Sequence, residues 1–386
     1  MSLSFDAAAR SVRDALSDAG QGLVEREAMV ELVALCAVAG EHLLVIGPPG
    51  TAKSEAVRRT ARALGGGYFE YLLGRFTEPS ELFGPVDLRK LREGLVETET
   101  AGMLPEAEVA FLDEVFLGST AILNTLLGLL NERVFRRGHT RMRCPLRVCV
   151  GASNALPEDE SLAAFADRFL ARTFVGPVPD PRLEDLLAGG ASLWKAEEAR
   201  TASLEAVDVL AQAAREADLG PVRPHLAHAL RTLRGAGIAL SDRRMVKAQR
   251  LVAAAAALAG RSTPGVADLW PLVYAVPTQE SQALARDVLR ELLAHSENPA
   301  LAAAALEASA GPLARAQRIA QAGRTVLAGR PAAGDAEALA SWRLKLEGVA
   351  REMDAGFAPE ALPEELRAVR EELRAALAMA PRTEAA

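Results

Sequence analysis

Residues 41–54 read Glu41-His42-Leu43-Leu44-Val45-Ile46-Gly47-Pro48-Pro49-Gly50-Thr51-Ala52-Lys53-Ser54, and the order of residue types in this stretch decides the fold class. A short β-prone run ends in glycine. Two prolines and a second glycine follow, and Lys53-Ser54 leads into the helical pattern SEAVRRTARALGG. Strand, glycine-rich turn and helix start, in that order, form the context of a phosphate-binding loop. Glycines let the backbone wrap closely, so that N–H groups and the helix N-terminus face an anion. In such a loop Lys53 reaches the β- and γ-phosphates and the Ser54 hydroxyl ligates Mg²⁺. One position departs from the general pattern, which has glycine before the lysine where this chain has Ala52. Taken alone, the stretch also fits an ordinary strand–turn–helix. Only five of the 44 basic residues are lysines, so a lysine in this loop is no accident of composition.

Working outward, GYFEYLL (67–73), VAFLDEVF (109–116) and LRVCVGASN (146–154) read as further strands, and TAILNTLLGLLNERVF (120–135) has helical apolar spacing. Apolar strands separated by helical patterns predict a parallel sheet covered on both faces. GPVPDP (176–181) punctuates the chain and marks a domain boundary. Helical segments follow near 182–189, 203–217, 224–236, 241–259 and 266–275. From about 279 the pattern is long amphipathic helices broken at 297–299, 330–334 and 358–363. The expected organisation is an α/β nucleotide-binding core over 1–178, an all-α lid over 179–278 and a bundle of three long helices over 279–386.

In Leu112-Asp113-Glu114, four apolar residues from Val109 run into two carboxylates, about sixty residues after the loop. A buried strand of an open α/β sheet delivers such acids to the edge where ligands bind. There Asp113 can hold Mg²⁺ through water, and Glu114 can orient or deprotonate an attacking water; the alternative is a pair of helix-capping acids. Asn154, one of four asparagines in the chain, ends the next strand. It can position the nucleophilic water or simply serve as a turn residue. Arg168 lies in FADRF between helix and strand patterns, where it can form a surface salt bridge or project onto a neighbouring subunit's γ-phosphate. The ordered series of loop, acid pair, asparagine and arginine favours the second role.

Three cysteines, Cys36, Cys144 and Cys149, lack metal spacing and even pairing, as expected of small buried hydrophobes in a reducing cytosol. His225 and His228 stand three apart with no completing ligands and are expected in capping or core roles. Trp194, Trp270 and Trp342 are expected to pack. The formal charge of −7 disfavours a globally electrostatic nucleic-acid binder. No apolar run reaches the roughly 18–20 residues of a membrane span, and MSLSFDAAARSVRDAL has no signal-peptide block. A cytoplasmic protein is expected.

The motifs GPPGTAKS, FEYLLGRFTEPSELFGP, GMLPEAEVAFLDE, AILNTLLGLLNERVF, GASNALPE, DRF and SDRR (241–244) together resemble an AAA+ ATPase of the MoxR type, closest to the RavA branch. The resemblance covers roughly residues 20 to 280, and this family tolerates the variant with Ala52. It implies ATP/ADP and Mg²⁺ as ligands, with Gly47, Pro48, Pro49, Gly50, Thr51, Ala52, Lys53 and Ser54 around the phosphates and Gly22, Leu23 and Val24 near the adenine. By motif position Ser54 and Asp113 would hold the metal. Glu114 would activate water, Asn154 matches the sensor 1 position, and Arg168 matches the arginine finger. The sensor 2 arginine falls on Arg243, with Arg244 as the alternative.

The resemblance further implies an insert within helix 2 (84–104) and a hairpin before sensor 1 (134–147). The hairpin carries Arg136, Arg137, Arg141, Arg143 and Arg147. It would either line the pore of a hexamer and touch acidic partners or nucleic acid, or be a solvated edge whose charges block aggregation. The activity implied is ATP hydrolysis by a homo-oligomeric ring, expected to be hexameric. Such a ring would serve as a chaperone-like remodelling factor for a protein with a von Willebrand factor A domain. The competing readings are a nucleic-acid-directed motor, helicase-like or transcription-related, and a nucleotide-switched scaffold. DNA-stimulated turnover would favour the first, and absence of turnover the second.

Overall fold

The computed structural model describes residues 3–193, 200–331, 336–356 and 364–379. In chain order the elements begin with α1 (Phe5–Gly20), α2 (Glu27–Ala39), β1 (Leu43–Ile46), α3 (Lys53–Ala63) and β2 (Tyr68–Leu72). Next come α4 (Pro79–Phe83), α5 (Leu88–Arg92), β3 (Val109–Asp113), α6 (Thr120–Glu132), β4 (Val134–Arg137) and β5 (Thr140–Arg143). The sheet is completed by β6 (Val148–Ser153) and β7 (Ala171–Phe174), with α7 (Glu160–Ala166) between them. Helices make up the rest: α8 (Leu183–Leu193), α9 (Leu204–Glu216), α10 (Arg223–Gly235), α11 (Asp242–Leu258), α12 (Pro271–Tyr274), α13 (Gln279–Val288) and α14 (Arg290–Leu293). The three long helices expected near the C-terminus are α15 (Ala302–Ala328), α16 (Ala336–Gly356) and α17 (Glu364–Met379).

The five-stranded sheet has the order β2-β3-β6-β1-β7 and every pairing is parallel. Residues 43–46, 109–112 and 148–153 are buried throughout, as strands covered on both faces must be. One face packs Leu44, Leu112, Val115, Leu126, Phe135 and Phe169 into a shared core. The strand Ala171-Arg172-Thr173-Phe174 had no apolar run to announce it, since it carries a buried arginine and a threonine. It is secured by its register against β1, Leu43 opposite Ala171 through Ile46 opposite Phe174.

All strands run the same way, so the sheet has an entry edge and an exit edge. Glu41, His42, Glu108, Arg147 and Leu170 precede strands; Gly47, Glu114, Asn154 and Val175 follow them. β1 alone separates the two edges by about 13 Å, four residues at roughly 3.3 Å each.

The two inserts are one structure. Residues 84–104 fold back on themselves through Asp87 N–H to the Glu97 carbonyl and Glu99 N–H to the Pro85 carbonyl, with α5 at the tip. They join the β4–β5 hairpin through His139 N–H to the Val96 carbonyl (2.8 Å), Val96 N–H to His139 Nδ1 (3.0 Å) and Arg137 to the Gly84 carbonyl (2.8 Å). Side chains alternate along the hairpin, Phe135 buried and Arg136, Arg141 and Arg143 exposed. Arg136 pairs with Glu132, and Arg147 lies beyond the hairpin paired with Asp208.

By compactness the chain divides at 177/178, at 195/196 and at 309/310. Residues 1–177 and 196–309 form one unit; 178–195 and 310–386 form the other. In the first, α9 and α11 pack on α1 and α2, so the helices following the sheet share its body. The second is built on Ile319, Trp342, Leu346, Val349, Met353, Leu366, Val369 and Leu373. Trp270 and Trp342 pack as expected, while Trp194 lies outside the described residues. All three cysteines are buried. His225 and His228 depart from expectation. Both are exposed on α10, because the buried face of that helix is carried by Leu226, Ala229 and Leu233 instead. Among the described residues no cluster of His, Cys, Asp and Glu could hold a metal. Among them also, no helix is long and apolar enough to cross a membrane.

Candidate nucleotide site

The exit edge gathers the loop 47–54, Asp113-Glu114 and Asn154. Gly47 hydrogen-bonds the Ser153 carbonyl at 3.0 Å, tying the loop's first residue to the strand that carries Asn154. A Cβ on Gly47 would lie 2.1 Å from the Val175 carbonyl oxygen, so only glycine fits where β1 leaves the sheet. Gly50 (φ +77°) and Ala52 (φ +57°) turn the backbone left-handed on either side of Thr51, whose hydroxyl donates to the Pro48 carbonyl at 2.9 Å. Such turns make a concave nest of N–H groups ahead of the α3 N-terminus. The departure at Ala52 thus occupies a conformation that glycine adopts without strain.

Lys53 is 7% exposed, and its Nζ donates to the carbonyls of Gly47 (2.8 Å) and Pro48 (2.9 Å), folding over the loop it belongs to. Burial pulls its pKa below the ordinary lysine value, while the charges of Asp113 and Glu114 pull it back up. The two carboxylates and the ammonium are therefore close enough to act on one another.

Glu114 is held at φ +49°, a left-handed backbone that glutamate rarely adopts. Its Oε1 accepts from the Asn154 side-chain amide at 2.8 Å, and its N–H donates to Asp113 Oδ1 at 3.0 Å. Among the described residues, three of the four non-glycine residues with positive φ, Glu25, Ala52 and Glu114, lie at this site, where strain of this kind tends to collect. Ser54 and Asp113 offer a hydroxyl and a carboxylate, the hard oxygen donors that suit Mg²⁺.

The segment Gly22-Leu23-Val24 comes to the same edge. Gly22 turns at φ +75°, Leu23 and Val24 are buried, and Arg59 of α3 donates to the Gln21 carbonyl at 2.6 Å. Arg26 is the residue that sequence reasoning missed. It is 4% exposed, and its guanidinium links the carbonyls of Thr51 (2.7 Å), Gly176 (2.7 Å) and Glu25 (2.5 Å). One side chain thereby ties the loop to the segment 22–26 and to the end of β7. Nothing in the spacing of Arg26, in a chain rich in arginine, distinguishes it.

The two remaining arginines are not at this edge. Arg168 sits between α7 and β7, at the strand entry; it is half-buried, and its Nε has no hydrogen-bond partner among the described residues. Arg243, at the start of α11, donates to Asn131 Oδ1 at 2.5 Å. Asn131 ends α6 beside Arg133, whose guanidinium binds the Gly40 carbonyl just ahead of β1. Further along α11, Lys247 (2.6 Å) and Arg250 (2.9 Å) pair with the fully buried Glu41, again at the strand entry. Arg243 and Arg168 thus share the edge opposite their own chain's loop. Arg244, the alternative to Arg243, is committed elsewhere: it is 3% exposed and donates to four acceptors of its own chain.

Comparison with known proteins agrees with the fold. Residues 10–213, just over half of the chain, match the family described as the MoxR domain in the MoxR-vWA-beta-propeller ternary systems. The chain belongs to the MoxR family of AAA+ ATPases. Two uncharacterised proteins of Methanocaldococcus jannaschii are each 36% identical to it, over 248 and 251 residues. Each match takes in 64% of this chain, and the chain spans 66% and 64% of those relatives' lengths. A structural protein of Acidianus two-tailed virus is 31% identical over 170 residues, 42% of this chain and 28% of that one. The crystal structure of a candidate ATPase from Cytophaga hutchinsonii superposes with a TM-score of 0.60 at 14% identity. It covers 75% of this chain and 96% of its own, a likeness of fold.

Proposed function

We propose that this MoxR domain hydrolyses ATP as a subunit of a homo-oligomeric ring, expected to be a hexamer, in which Arg168 and Arg243 of one copy complete the loop site of the next. The observation that carries this reading is the placement of both arginines at the strand-entry edge, a strand's length from the loop of their own chain. Neither can serve that loop, whereas a neighbour stacked entry edge to exit edge would receive both.

Within the site, Lys53 would exchange its two carbonyl acceptors for the β- and γ-phosphate oxygens. The N–H groups of the loop would take the remaining phosphate charge. Ser54 and Asp113 would hold Mg²⁺, which when bound neutralises charge on the phosphates. Glu114 would accept a proton from water as its oxygen bonds to the γ-phosphorus and the bond to ADP breaks, yielding ADP and phosphate. Asn154, already hydrogen-bonded to one Glu114 oxygen, would orient that carboxylate and the water. Gly22–Val24 would flank the adenine.

A partner with a von Willebrand factor A domain, and a chaperone-like remodelling role of the RavA kind, are proposed on the family description and on the motif resemblance. The ring is tested by mixing two inactive variants. Arg168→Ala subunits keep a working loop, Asp113 and Glu114, while Lys53→Ala subunits keep Arg168. Their mixture should recover ATPase that neither parent has, once exchange of subunits is established with labelled protein. Complete failure to recover, given exchange, rejects action between subunits.

A further inference from the structure

Segment 167–170 joins α7 to β7 and belongs to neither, yet it carries Arg168. Its backbone makes three bonds of its own, Asp167 N–H to the Ala163 carbonyl (3.0 Å), Arg168 N–H to the Phe165 carbonyl (3.0 Å) and Phe169 N–H to the Ala166 carbonyl (3.2 Å), and Phe169 and Leu170 are buried. The polar grip on it from outside is that of Arg244. The guanidinium places NH1 on Asp167 Oδ1 (2.8 Å) and on the Phe169 carbonyl (3.3 Å), NH2 on the Leu170 carbonyl (2.5 Å), and Nε on the Ala275 carbonyl after α12 (3.0 Å). Three of these four acceptors bracket Arg168 in sequence, one residue before it and two after. Arg244 is also the third residue of α11, directly after Arg243, and its N–H is capped by the Ser241 hydroxyl.

Burying a guanidinium costs several kcal/mol unless its donors are satisfied. The cost is sharper here because Arg172 is also buried nearby, hydrogen-bonded to the Pro277 carbonyl at 2.9 Å, its pKa pushed down to about 10 by burial and then by the charge of Arg244. Only a planar fork with five donors spans a carboxylate and three carbonyls at once. A connection that needed only to be packed would be served by an aliphatic side chain at less cost.

We propose that Arg244 is a positioning residue for Arg168. It fixes segment 167–170 and, through the first turn of α11, holds Arg243 in register with it, so that the two arginines meet a neighbour's γ-phosphate as one rigid element. What the arginines then do rests on the ring reading above; the grip of Arg244 on the segment does not.

The test is a coupling cycle on kcat in the full chain. Arg244→Gln should lower kcat about 10- to 100-fold, the scale of displacing a catalytic group by roughly 1 Å. The affinity for a fluorescent ATP analogue should stay within about twofold, because the loop lies at the other edge. In an Arg168→Ala background, assayed by single turnover, the same substitution should change the rate less than about twofold, since there is no finger left to position. Multiplicative losses in the double variant, or loss of analogue binding in place of kcat, would overturn the proposal. Arg244→Lys keeps the charge beside Asp167 but cannot span all four acceptors, so its kcat should fall between the two; if Arg244→Gln shows no cooperative melting, the lysine variant carries the cycle. Mixing adds direction. Arg244→Gln with Lys53→Ala should recover ATPase as Arg168→Ala with Lys53→Ala does, and Arg244→Gln with Arg168→Ala should not. Recovery by the Arg168→Ala pair but not by the Arg244→Gln pair would sink the role of Arg244 and leave the ring standing. Failure of both would sink the ring, and the coupling cycle would then decide Arg244 alone.

Discussion

Glu31 gives the strongest handle on stability. It lies on α2, half-buried, and its two carboxylate oxygens accept the N–H groups of Ala303 (3.2 Å) and Ala304 (2.7 Å), capping the first turn of α15 from another helix. Burial pushes its pKa up to about 7. The two N–H bonds pull it down and the charges of Glu27 and Glu307 add to the rise, but desolvation is the largest effect. An unfolded glutamate titrates near 4.5, so between these values the folded chain holds a proton that the unfolded chain has released. Stability therefore falls as pH rises from 4.5 through about 7. The difference of about 2.5 pH units amounts to at most about 3.4 kcal/mol at 1.36 kcal/mol per unit. Glu31→Gln keeps the shape and removes the titration. Hydrogen exchange at Ala303 and Ala304, compared between the two proteins at each pH, isolates the opening of this turn. Glutamine can cap only one of the two N–H groups, so the readout is the change with pH: from pH 4.5 to 8 the native protection should fall relative to that of the variant by up to about 300-fold. Protection ratios that stay constant from pH 4.5 to 8 would show that Glu31 does not titrate in this window, and the reasoning would fail.

Ala52→Gly should stabilise the loop, since a left-handed alanine costs about 1–2 kcal/mol and the extra freedom of unfolded glycine returns about 0.4–1 of it. A thermal midpoint lowered by the substitution would contradict the strain seen at Ala52. Lys53→Ala should abolish binding of an ATP analogue, whereas Glu114→Gln should bind it and stall. Hydrolysis by Glu114→Gln at the wild-type rate would remove Glu114 as the base.

The α/β layout and most of the candidate site were legible in the linear chain because they rest on local physics. β1, β3 and β6 are buried on both faces, so each appears as an unbroken apolar run, and the loop is a turn whose glycines and lysine are neighbours in sequence. Asp113-Glu114 and Asn154 were recognisable because each stands where such a run stops. β7 escaped this logic: it buries Arg172, which donates to the Pro277 carbonyl, and Thr173 in place of an apolar run. The joining of the insert to the hairpin, the tie made by Arg26 and the grip of Arg244 were equally hidden, since each is one side chain or backbone group meeting residues dozens to more than a hundred positions away. The tertiary structure also separates Arg243 from Arg244, which are adjacent and chemically identical in the sequence. Their helix turns one towards Asn131 and the other into the core, and only the surroundings each side chain meets can tell them apart. Local composition determines which strands and loops form; the parallel order of the strands decides which residues share an edge, and so puts Arg168 at the edge opposite the loop 47–54.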